Sequence, residues 1–298
     1  MPQPHGFEFA LVSDGDTTEK EWRELARRAE DLGYDALLIS DHVDQRLAPV
    51  PALAAAAEVT GRLVVGTYVL NNDLRNPLML ARDAATLHAL SEGRFQLGLG
   101  AGWYRVDYER TGIAFEPGRV RHERLREAVA LCRSHLAVRA GGEEEPTGRH
   151  GRPPLLLGGT RRRMLSLAAR EADIVSVVPA LGPDGPTDLD DSSPARLDEK
   201  IAWVRAEAAA REPFPRLNHL VWECFVAPRP GPVEEALARA VGRTPEQLRE
   251  LACFLVGTAA QVRETLWARR ERWGFGYVTV PAATAERFAP IVAGLKGR

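Results

Sequence analysis

Residues 63–103 read LVVGTYVLNNDLRNPLMLARDAATLHALSEGRFQLGLGAGW and contain the unit on which the fold depends. The apolar run at residues 63–70 predicts a buried strand, and residues 95–99 predict a second one. Residues 76–90 predict the helix between them, with Pro77 at a position that suits the first helical turn. Neither strand alternates polar and apolar residues, which is typical of parallel strands covered on both faces.

The same strand–helix unit recurs along the whole chain. The sequence predicts eight strands, at residues 7–12, 36–40, 63–70, 95–99, 154–157, 173–177, 220–227 and 277–280. It predicts helices at residues 18–32, 51–60, 76–90, 119–138, 161–170, 196–210, 232–253, 258–273 and 283–295. This alternation predicts either a closed eightfold barrel or a doubly wound open sheet. Because no break in composition and no repeat divides the chain, we expect a single domain, residues 1–298, folded as a (β/α)8 TIM barrel with insertions at its C-terminal face.

Composition excludes several classes of protein. The 298 residues are 45% hydrophobic and 27% charged, with a formal net charge of -2, which argues against a nucleic-acid or anionic-membrane surface. No apolar run is long enough to span a membrane, and the N-terminus lacks a signal-peptide pattern. The three widely spaced cysteines fit reduced thiols better than disulfides or a zinc site. We therefore expect a cytoplasmic enzyme or binding barrel without a metal.

In such a barrel, functional residues follow the C-terminal ends of the strands. The second strand is followed by Asp41 and His42. A histidine there can exchange protons near neutral pH, and an adjacent carboxylate can orient it. The alternative is an ordinary loop pair or helix cap. A metal site is disfavoured, because no second histidine or cysteine stands at ligand-like spacing.

Glycines and an aromatic residue follow the fourth strand. Gly98, Gly100 and Gly102 alternate with other residues and precede Trp103. Positions without a side chain would let a flat ring or a phosphate approach the backbone. We predict that Gly100, Gly102 and Trp103 contact a cofactor; the alternative is only a tight turn. The spacing is not the dinucleotide-binding fingerprint, and no helix is expected directly after it.

A second glycine pair follows the fifth strand. Gly158, Gly159 and Thr160 lead into a predicted helix that begins at Arg161. Bare backbone N–H groups at a helix N-terminus form an anion site, and basic residues there oppose the helix dipole unless an anion is bound. Residues 181–194, rich in Asp, Pro, Gly and Ser, are the predicted mobile segment and the predicted lid over the site.

These segments together resemble the luciferase-like monooxygenase superfamily, and within it the oxidoreductases that use the deazaflavin coenzyme F420. The resemblance extends over almost the whole chain and implies the same barrel. Its segments are residues 29–35, 40–42, 65–70, 91–95, 98–103, 197–204 and 255–258.

The resemblance implies specific roles around the deazaflavin ring. His42 would face the reactive ring as acid or base, with Asp41 beside it. A cis peptide bond between Tyr68 and Val69 would form a bulge behind the ring. Asn71 matches a small polar position that hydrogen-bonds the ring edge.

The resemblance also implies a phosphate site and a limit on the substrate. The turn formed by Gly158, Gly159 and Thr160 matches the coenzyme phosphate site, with Arg161 as a helper. Family members that oxidise sugar phosphates have an acidic residue where this chain has Trp103, so that activity is disfavoured here.

Hydride transfer between F420 and a small organic substrate is therefore the leading functional prediction. The alternatives are an FMN-dependent monooxygenase supplied by a separate flavin reductase, a flavin-binding barrel without catalysis, and a metal-dependent hydrolase. The resemblance also implies a homodimer formed through the outer helices of the barrel.

Overall fold

A computed structural model describes residues 6–141, 151–182 and 185–298. The strands in these ranges are β1 Glu8–Ser13, β2 Ala36–Ile39, β3 Val64–Thr67, β4 Leu70–Asn71, β5 Phe95–Gly100, β6 Leu155–Gly159, β7 Ile174–Val177, β8 Ala180–Gly182, β9 Gly185–Asp188, β10 Arg216–Leu220, β11 Glu223–Val226, β12 Phe254–Gly257 and β13 Phe275–Pro281. The α-helices are α1 Glu19–Asp31, α2 Pro49–Glu58, α3 Pro77–Leu90, α4 Arg105–Thr111, α5 Gly118–Gly141, α6 Arg162–Glu171, α7 Pro194–Glu207, α8 Gly231–Ala240, α9 Pro245–Glu250, α10 Ala259–Trp273 and α11 Ala285–Leu295.

Eight parallel strands within the described ranges close into a ring. Their order is β1, β2, β3, β5, β6, β7, β10 and β13, and β13 pairs with β1 to complete it. The short strand β4 continues β3 past Tyr68 and Val69 and pairs with the same neighbour, β5. The predicted (β/α)8 TIM barrel is confirmed.

In several ring strands, successive residues belong to two different apolar clusters. Ala10, Leu38 and Ile174 belong to a smaller cluster of strand residues, whereas Phe9 and Leu37 belong to the large cluster shared with the helices. Because side chains alternate across a strand, both faces of the ring are covered. This double burial explains why the strand sequences lack polar alternation.

The prediction that residues 220–227 form a strand of the barrel is wrong. The ring strand is β10, and the chain leaves the ring there to form β11, which pairs in parallel with β12 in a separate two-stranded sheet. The strand β10 contains the buried polar residues Asn218 and His219. Because the run that follows is more apolar, the sequence pattern favoured that run as the strand. Each of these polar side chains has a partner: Asn218 donates to Thr279 Oγ1 (2.8 Å), and His219 Nε2 contacts the Ala252 carbonyl (2.7 Å).

Two helix predictions also need correction. The helix predicted at residues 232–253 is divided into α8 and α9, and the break contains Gly242 with φ of 66°. A positive φ suits glycine, which has no Cβ to clash. The helix α4 was not predicted at all, because it has only seven residues and only four residues separate it from β5.

The loop before β12 is held by buried polar side chains. The Arg269 guanidinium is buried and donates to the carbonyls of Ala252 (2.7 Å) and Phe254 (3.0 Å). His219 lies beside it, with Nη1 of Arg269 3.3 Å from Nε2, and stacks on Phe275. Through these contacts, the neutral histidine on β10 connects the ring to the loop that leads into β12 of the outer sheet.

We expect this histidine to make stability depend on pH. Burial and the neighbouring Arg269 charge lower the pKa of His219 to about 3, from 6.5 for an unperturbed histidine. The unfolded chain therefore binds the proton more tightly, so stability is complete above pH 6.5 and falls as the pH decreases toward 3. Urea unfolding should show wild type losing about 1.4 kcal/mol more than His219→Gln between pH 7.5 and 5.5. Equal losses in the two proteins would contradict this origin of the pH dependence.

Two further findings concern redox state and membranes. Cys132, Cys224 and Cys253 are buried free thiols, as the sequence predicted. No helix in the part of the chain that the structure describes has the length and apolar character needed to cross a membrane.

Candidate active site

The C-terminal ends of the ring strands bring most of the predicted site residues to one end of the barrel. His42 follows β2, Asn71 ends β4, Trp103 follows β5, and Thr160 follows β6. Since the ring strands are all parallel, these positions share one rim. This rim is therefore the candidate binding site.

His42 is held by a carboxylate that the sequence analysis missed. Its Nδ1 lies 2.9 Å from Oδ2 of Asp107 on α4, and the backbone N–H of Val43 donates to the other carboxylate oxygen, also at 2.9 Å. The Asp107 side chain is only 2% exposed, whereas the His42 side chain remains 21% exposed. The ring is thus anchored on one side and open on the other.

Two aromatic side chains flank His42. The Trp103 and Tyr104 rings contact the imidazole edge to face, with centroid distances of 5.3 and 5.1 Å. Such contacts favour one ring orientation and cover the imidazole with apolar surface. The structure therefore places Trp103 next to His42, where a bound ring or substrate would meet both.

Asp41 does not accompany His42, contrary to the prediction. Its carboxylate forms a two-pronged ion pair with the Arg75 guanidinium and accepts the backbone N–H of Asn71 (2.9 Å). Asp41 is thus bound to the loop after β4, while His42 is bound to α4. Asp41 positions that loop, and Asp107 takes the expected role beside the histidine.

The cis peptide bond implied by the resemblance is present between Tyr68 and Val69. The Tyr68 hydroxyl lies in the barrel interior, 2.6 Å from Ser176 Oγ and 2.9 Å from Asn218 Oδ1. Burial raises the pKa of Tyr68 above its usual value of 10. Tyr68 is therefore a neutral hydrogen-bonding residue below the rim and does not exchange protons near neutral pH.

The glycines after β5 accommodate protein atoms. A Cβ at Gly98 would overlap a carbonyl oxygen of β3, and a Cβ at Gly100 would lie 2.6 Å from Val69 Cγ2. Gly102 has φ of +73°, and a Cβ there would overlap the Tyr108 hydroxyl. Packing against the bulge and α4 by itself requires glycine at these positions. Contact between a cofactor and the Gly100 or Gly102 backbone stays a prediction.

Asn71 provides the test of whether a heterocyclic ring fits here. Its Oδ1 accepts the Asp73 N–H (3.1 Å) and the Tyr108 hydroxyl (3.3 Å). Its Nδ2 is buried and has no hydrogen-bond partner among the residues that the structure describes. Leaving a buried donor unpaired costs about 1–3 kcal/mol, so a ligand with an acceptor at its edge fits this position. The chemistry of this donor agrees with the role that the resemblance implies.

The turn after β6 keeps the features of an anion site. A Cβ at Gly158 would make only ordinary contacts at 3.7 Å, whereas one at Gly159 would overlap the Met164 side chain. Arg161 is the N-cap of α6, and its side chain makes no capping hydrogen bond. The Met164 N–H donates to the Arg161 carbonyl (2.9 Å), which leaves the N–H groups of Arg162 and Arg163 available to a phosphate.

The Thr160 hydroxyl is used within the protein. It donates to the Asp191 carboxylate and accepts from Nζ of Lys200 (2.9 Å), which is itself completely buried and paired with Asp191. Burial lowers the pKa of Lys200, while the Asp191 charge opposes that change. The predicted contact between Thr160 and a coenzyme can therefore come from its backbone, since its hydroxyl proton is committed.

A cavity of about 220 Å³ lies next to this turn. Its lining includes the side chains of Arg161, Arg162 and Arg196, opposed by Asp188 and Asp191. Three guanidinium groups against two carboxylates leave a positive excess, which favours an anionic ligand. The cavity shares Arg161 with the predicted phosphate site, and Arg161 stays a candidate for that role.

The predicted lid is partly fixed. Within residues 181–194, the turn Leu189–Ser192 is anchored by Asp191, and Ser192 Oγ lies 3.0 Å from Cys253 Sγ. Residues 183–184 lie outside the described ranges. Movement over the site stays a prediction for the hairpin formed by β8 and β9.

The C-terminal end of the helix that carries Asp107 left a signal in the sequence, although no pattern marked Asp107 as the partner of His42. Gly112, which has φ of 72°, ends α4 in the left-handed conformation that commonly closes helices. Lys200 and Asp191 carried no comparable signal, because their pairing joins α7 to an irregular segment.

Comparison with known proteins identifies the family. The model of the luciferase-like monooxygenase family matches residues 7–213, more than two thirds of the chain. The chain belongs to this family. The match includes the ends of β2, β4, β5 and β6, and therefore His42, Asn71, Trp103 and Thr160.

Curated relatives match over shorter stretches. The chain is 33% identical over 181 residues to the 5,10-methylenetetrahydromethanopterin reductase of Archaeoglobus fulgidus, covering 58% of this chain and 52% of that protein. It is 37% identical over 114 residues to the F420-dependent glucose-6-phosphate dehydrogenase of Beutenbergia cavernae, covering 36% of this chain and 34% of that protein. The family member thus spans only about a third to a half of the length of these relatives.

Solved structures share the fold over nearly the whole chain. The coenzyme F420 dependent tetrahydromethanopterin reductase of Methanopyrus kandleri has a TM-score of 0.75 at 17% identity, covering 98% of this chain and 100% of that one. An EDTA monooxygenase from Chelativorans sp. BNC1 has a TM-score of 0.76 at 14% identity, covering 97% and 94%. At these identities the likeness concerns the barrel alone.

Proposed function

We propose that this family member is an oxidoreductase that uses coenzyme F420 and transfers a hydride between the deazaflavin and a small organic substrate. The observation that carries the proposal is the pairing of His42 with Asp107 on the same rim as the unpaired amide of Asn71. The F420-dependent relative at 37% identity supports the choice of coenzyme.

Hydride chemistry divides the work between coenzyme and protein. When bound, the deazaflavin supplies or accepts the hydride. Reduction of a C=O, C=N or C=C bond also needs one proton, and oxidation releases one. His42 holds or accepts that proton at Nε2, because its Nδ1 is bound to Asp107.

The other rim residues would bind the coenzyme and surround the His42 imidazole. Asn71 Nδ2 would donate to an acceptor on the ring edge, and the N–H groups at the start of α6 would bind the anionic tail. Trp103 and Tyr104 cover part of the imidazole with apolar surface, while the His42 side chain stays 21% exposed and open to a substrate.

The substrate proposed here differs from that of the glucose-6-phosphate dehydrogenase relative. Trp103 occupies the position after the glycine run where sugar-phosphate oxidation would need a carboxylate. Asp107 lies nearby, but its two oxygens serve His42 and the Val43 N–H, and its side chain is buried. It therefore cannot reach a substrate as a second acid or base, and the substrate's proton would be exchanged with His42.

Equilibrium binding separates the proposed coenzyme from its alternative. We expect the purified protein to bind F420 with micromolar or tighter affinity and FMN more weakly, measured by fluorescence titration and calorimetry. Tight binding of FMN without F420 would instead indicate a monooxygenase supplied by a separate reductase. Binding of F420 with no turnover across enones, imines and alcohols would indicate a non-catalytic barrel.

The predicted homodimer is part of this proposal. It would form through the outer helices and leave the rim accessible to a small-molecule substrate. Analytical ultracentrifugation of the full chain tests it.

A further inference from the structure

We infer that Asp107 is a positioning residue that fixes the tautomer of His42, so that Nε2 is the atom available for proton transfer. The kinetic part of this inference rests on the proposed function. The tautomer itself is a property of the protein without coenzyme.

The acceptor chemistry of a carboxylate decides which nitrogen is protonated. An ionised Asp107 can only accept hydrogen bonds, so Nδ1 of His42, 2.9 Å away, must carry the proton that lies between them. A neutral imidazole has one donor and one acceptor nitrogen. Nε2 is then left with its lone pair and points away from α4.

The orientation of the carboxylate is itself fixed. Its second oxygen accepts the Val43 N–H at 2.9 Å, and the backbone of Asp107 is fixed in α4, where its carbonyl accepts the Thr111 hydroxyl at 2.7 Å. One side chain therefore binds both the ring of His42 and the loop that follows it. Rotating the imidazole by half a turn would replace Nδ1 with a carbon atom and lose this bond.

A purely structural role for Asp107 would make the same contacts, and the Asp107→Asn variant separates the two roles. The Val43 N–H needs an acceptor, so the amide oxygen of the variant will face it and the amide NH2 will face Nδ1 of His42. Both contacts and the shape survive. The donor now faces Nδ1, which forces the proton of the neutral ring to Nε2.

Nuclear magnetic resonance of histidine side chains tests the tautomer directly. We would record nitrogen-15 spectra of the full chain without coenzyme at about pH 9, well above the ordinary histidine pKa. The His42 signal would be assigned by its loss in His42→Gln. We expect the Nδ1–H tautomer in wild type and the Nε2–H tautomer in Asp107→Asn. An Nε2–H tautomer in wild type would overturn the inference even if the variant failed to fold.

The chain offers a matched control. Asp173 is a partly buried carboxylate that binds Arg152 and the Leu155 N–H. It directly precedes β7 and therefore lies at the end of the ring opposite the rim. Asp173→Asn should leave the His42 signal and turnover unchanged. An equal change in both variants would show that loss of any such carboxylate perturbs His42, which contradicts the assignment to Asp107.

Kinetics with F420 complete the test. Asp107→Asn should lower kcat about 100-fold or more while coenzyme affinity stays the same, because general acid–base catalysis contributes at least this much. Unchanged kcat with an inverted tautomer would overturn the inference. If wild type shows the Nδ1–H tautomer but neither binds F420 nor turns over, the proposed function fails and the placement by Asp107 stands.

Discussion

Replacing His42 with alanine should lower turnover with F420 by about 100- to 10,000-fold, the usual contribution of a general acid or base. The coenzyme should still bind, because the groups proposed to hold it follow other strands. Asn71 ends β4, and the first turn of α6 follows β6. Removing His42 takes one hydrogen-bond partner from the buried Asp107 carboxylate, which keeps the Val43 N–H, so we expect stability to fall by about 1–3 kcal/mol. Steady-state kinetics beside a coenzyme titration measure the two effects separately.

The control for this variant is a histidine away from the rim. His135 lies on α5, well past its N-terminal turn, and His135→Ala should keep wild-type turnover. Imidazole added to the His42→Ala variant should restore part of the lost rate by entering the vacated space. Wild-type turnover in His42→Ala would contradict the assigned role, and parallel loss of coenzyme binding would show that His42 acts in binding instead.

The barrel could be predicted from sequence because its strands are short apolar runs separated by helices. Strands such as β2 and β7 are buried along their whole length, and burial on both faces leaves a pattern that needs no tertiary information. The strand β10 lacks that pattern. Its Asn218 and His219 are tolerated only because Thr279 and Ala252 supply partners from distant parts of the chain.

The location of the site could also be predicted, whereas its pairings could not. The rule that strand ends meet at one rim placed His42, Asn71 and Trp103 together. Because Asp41 and His42 are adjacent, the sequence suggested that they pair. In the structure Asp41 pairs with Arg75, and Asp107 on α4 pairs with His42. Which carboxylate meets a histidine is decided by the packing of a helix that the sequence pattern did not reveal.

Glycines show the same limit. A glycine required by a ligand and one required by a neighbouring side chain leave the same letter in the sequence. At Gly100 the neighbour is Val69 of the bulge, and at Gly102 it is Tyr108 of α4. Only the folded structure distinguishes internal packing from access for a coenzyme.

Breaking the buried ion pair between Lys200 and Asp191 should cause the largest loss of stability. Asp191→Asn removes the charge that compensates a completely buried ammonium group, and we expect it to lower the free energy of unfolding by about 3–5 kcal/mol. Lys200→Met should cost less, because the remaining carboxylate keeps the Thr160 hydroxyl and lies 3.6 Å from Arg196. Urea unfolding at pH 7.5 measures both variants.

The double variant decides whether the pair itself is the cause. Removing both charges leaves neither group uncompensated, so Lys200→Met combined with Asp191→Asn should recover most of the stability lost in Asp191→Asn alone. The exposed pair Lys20–Glu24, with atoms 3.8 Å apart, is the control, and Lys20→Met should change the free energy of unfolding by less than about 1 kcal/mol. If the losses of the two single variants simply add in the double variant, the effect comes from packing around Thr160. The pair would then contribute nothing of its own to holding the turn Leu189–Ser192 against the predicted phosphate site.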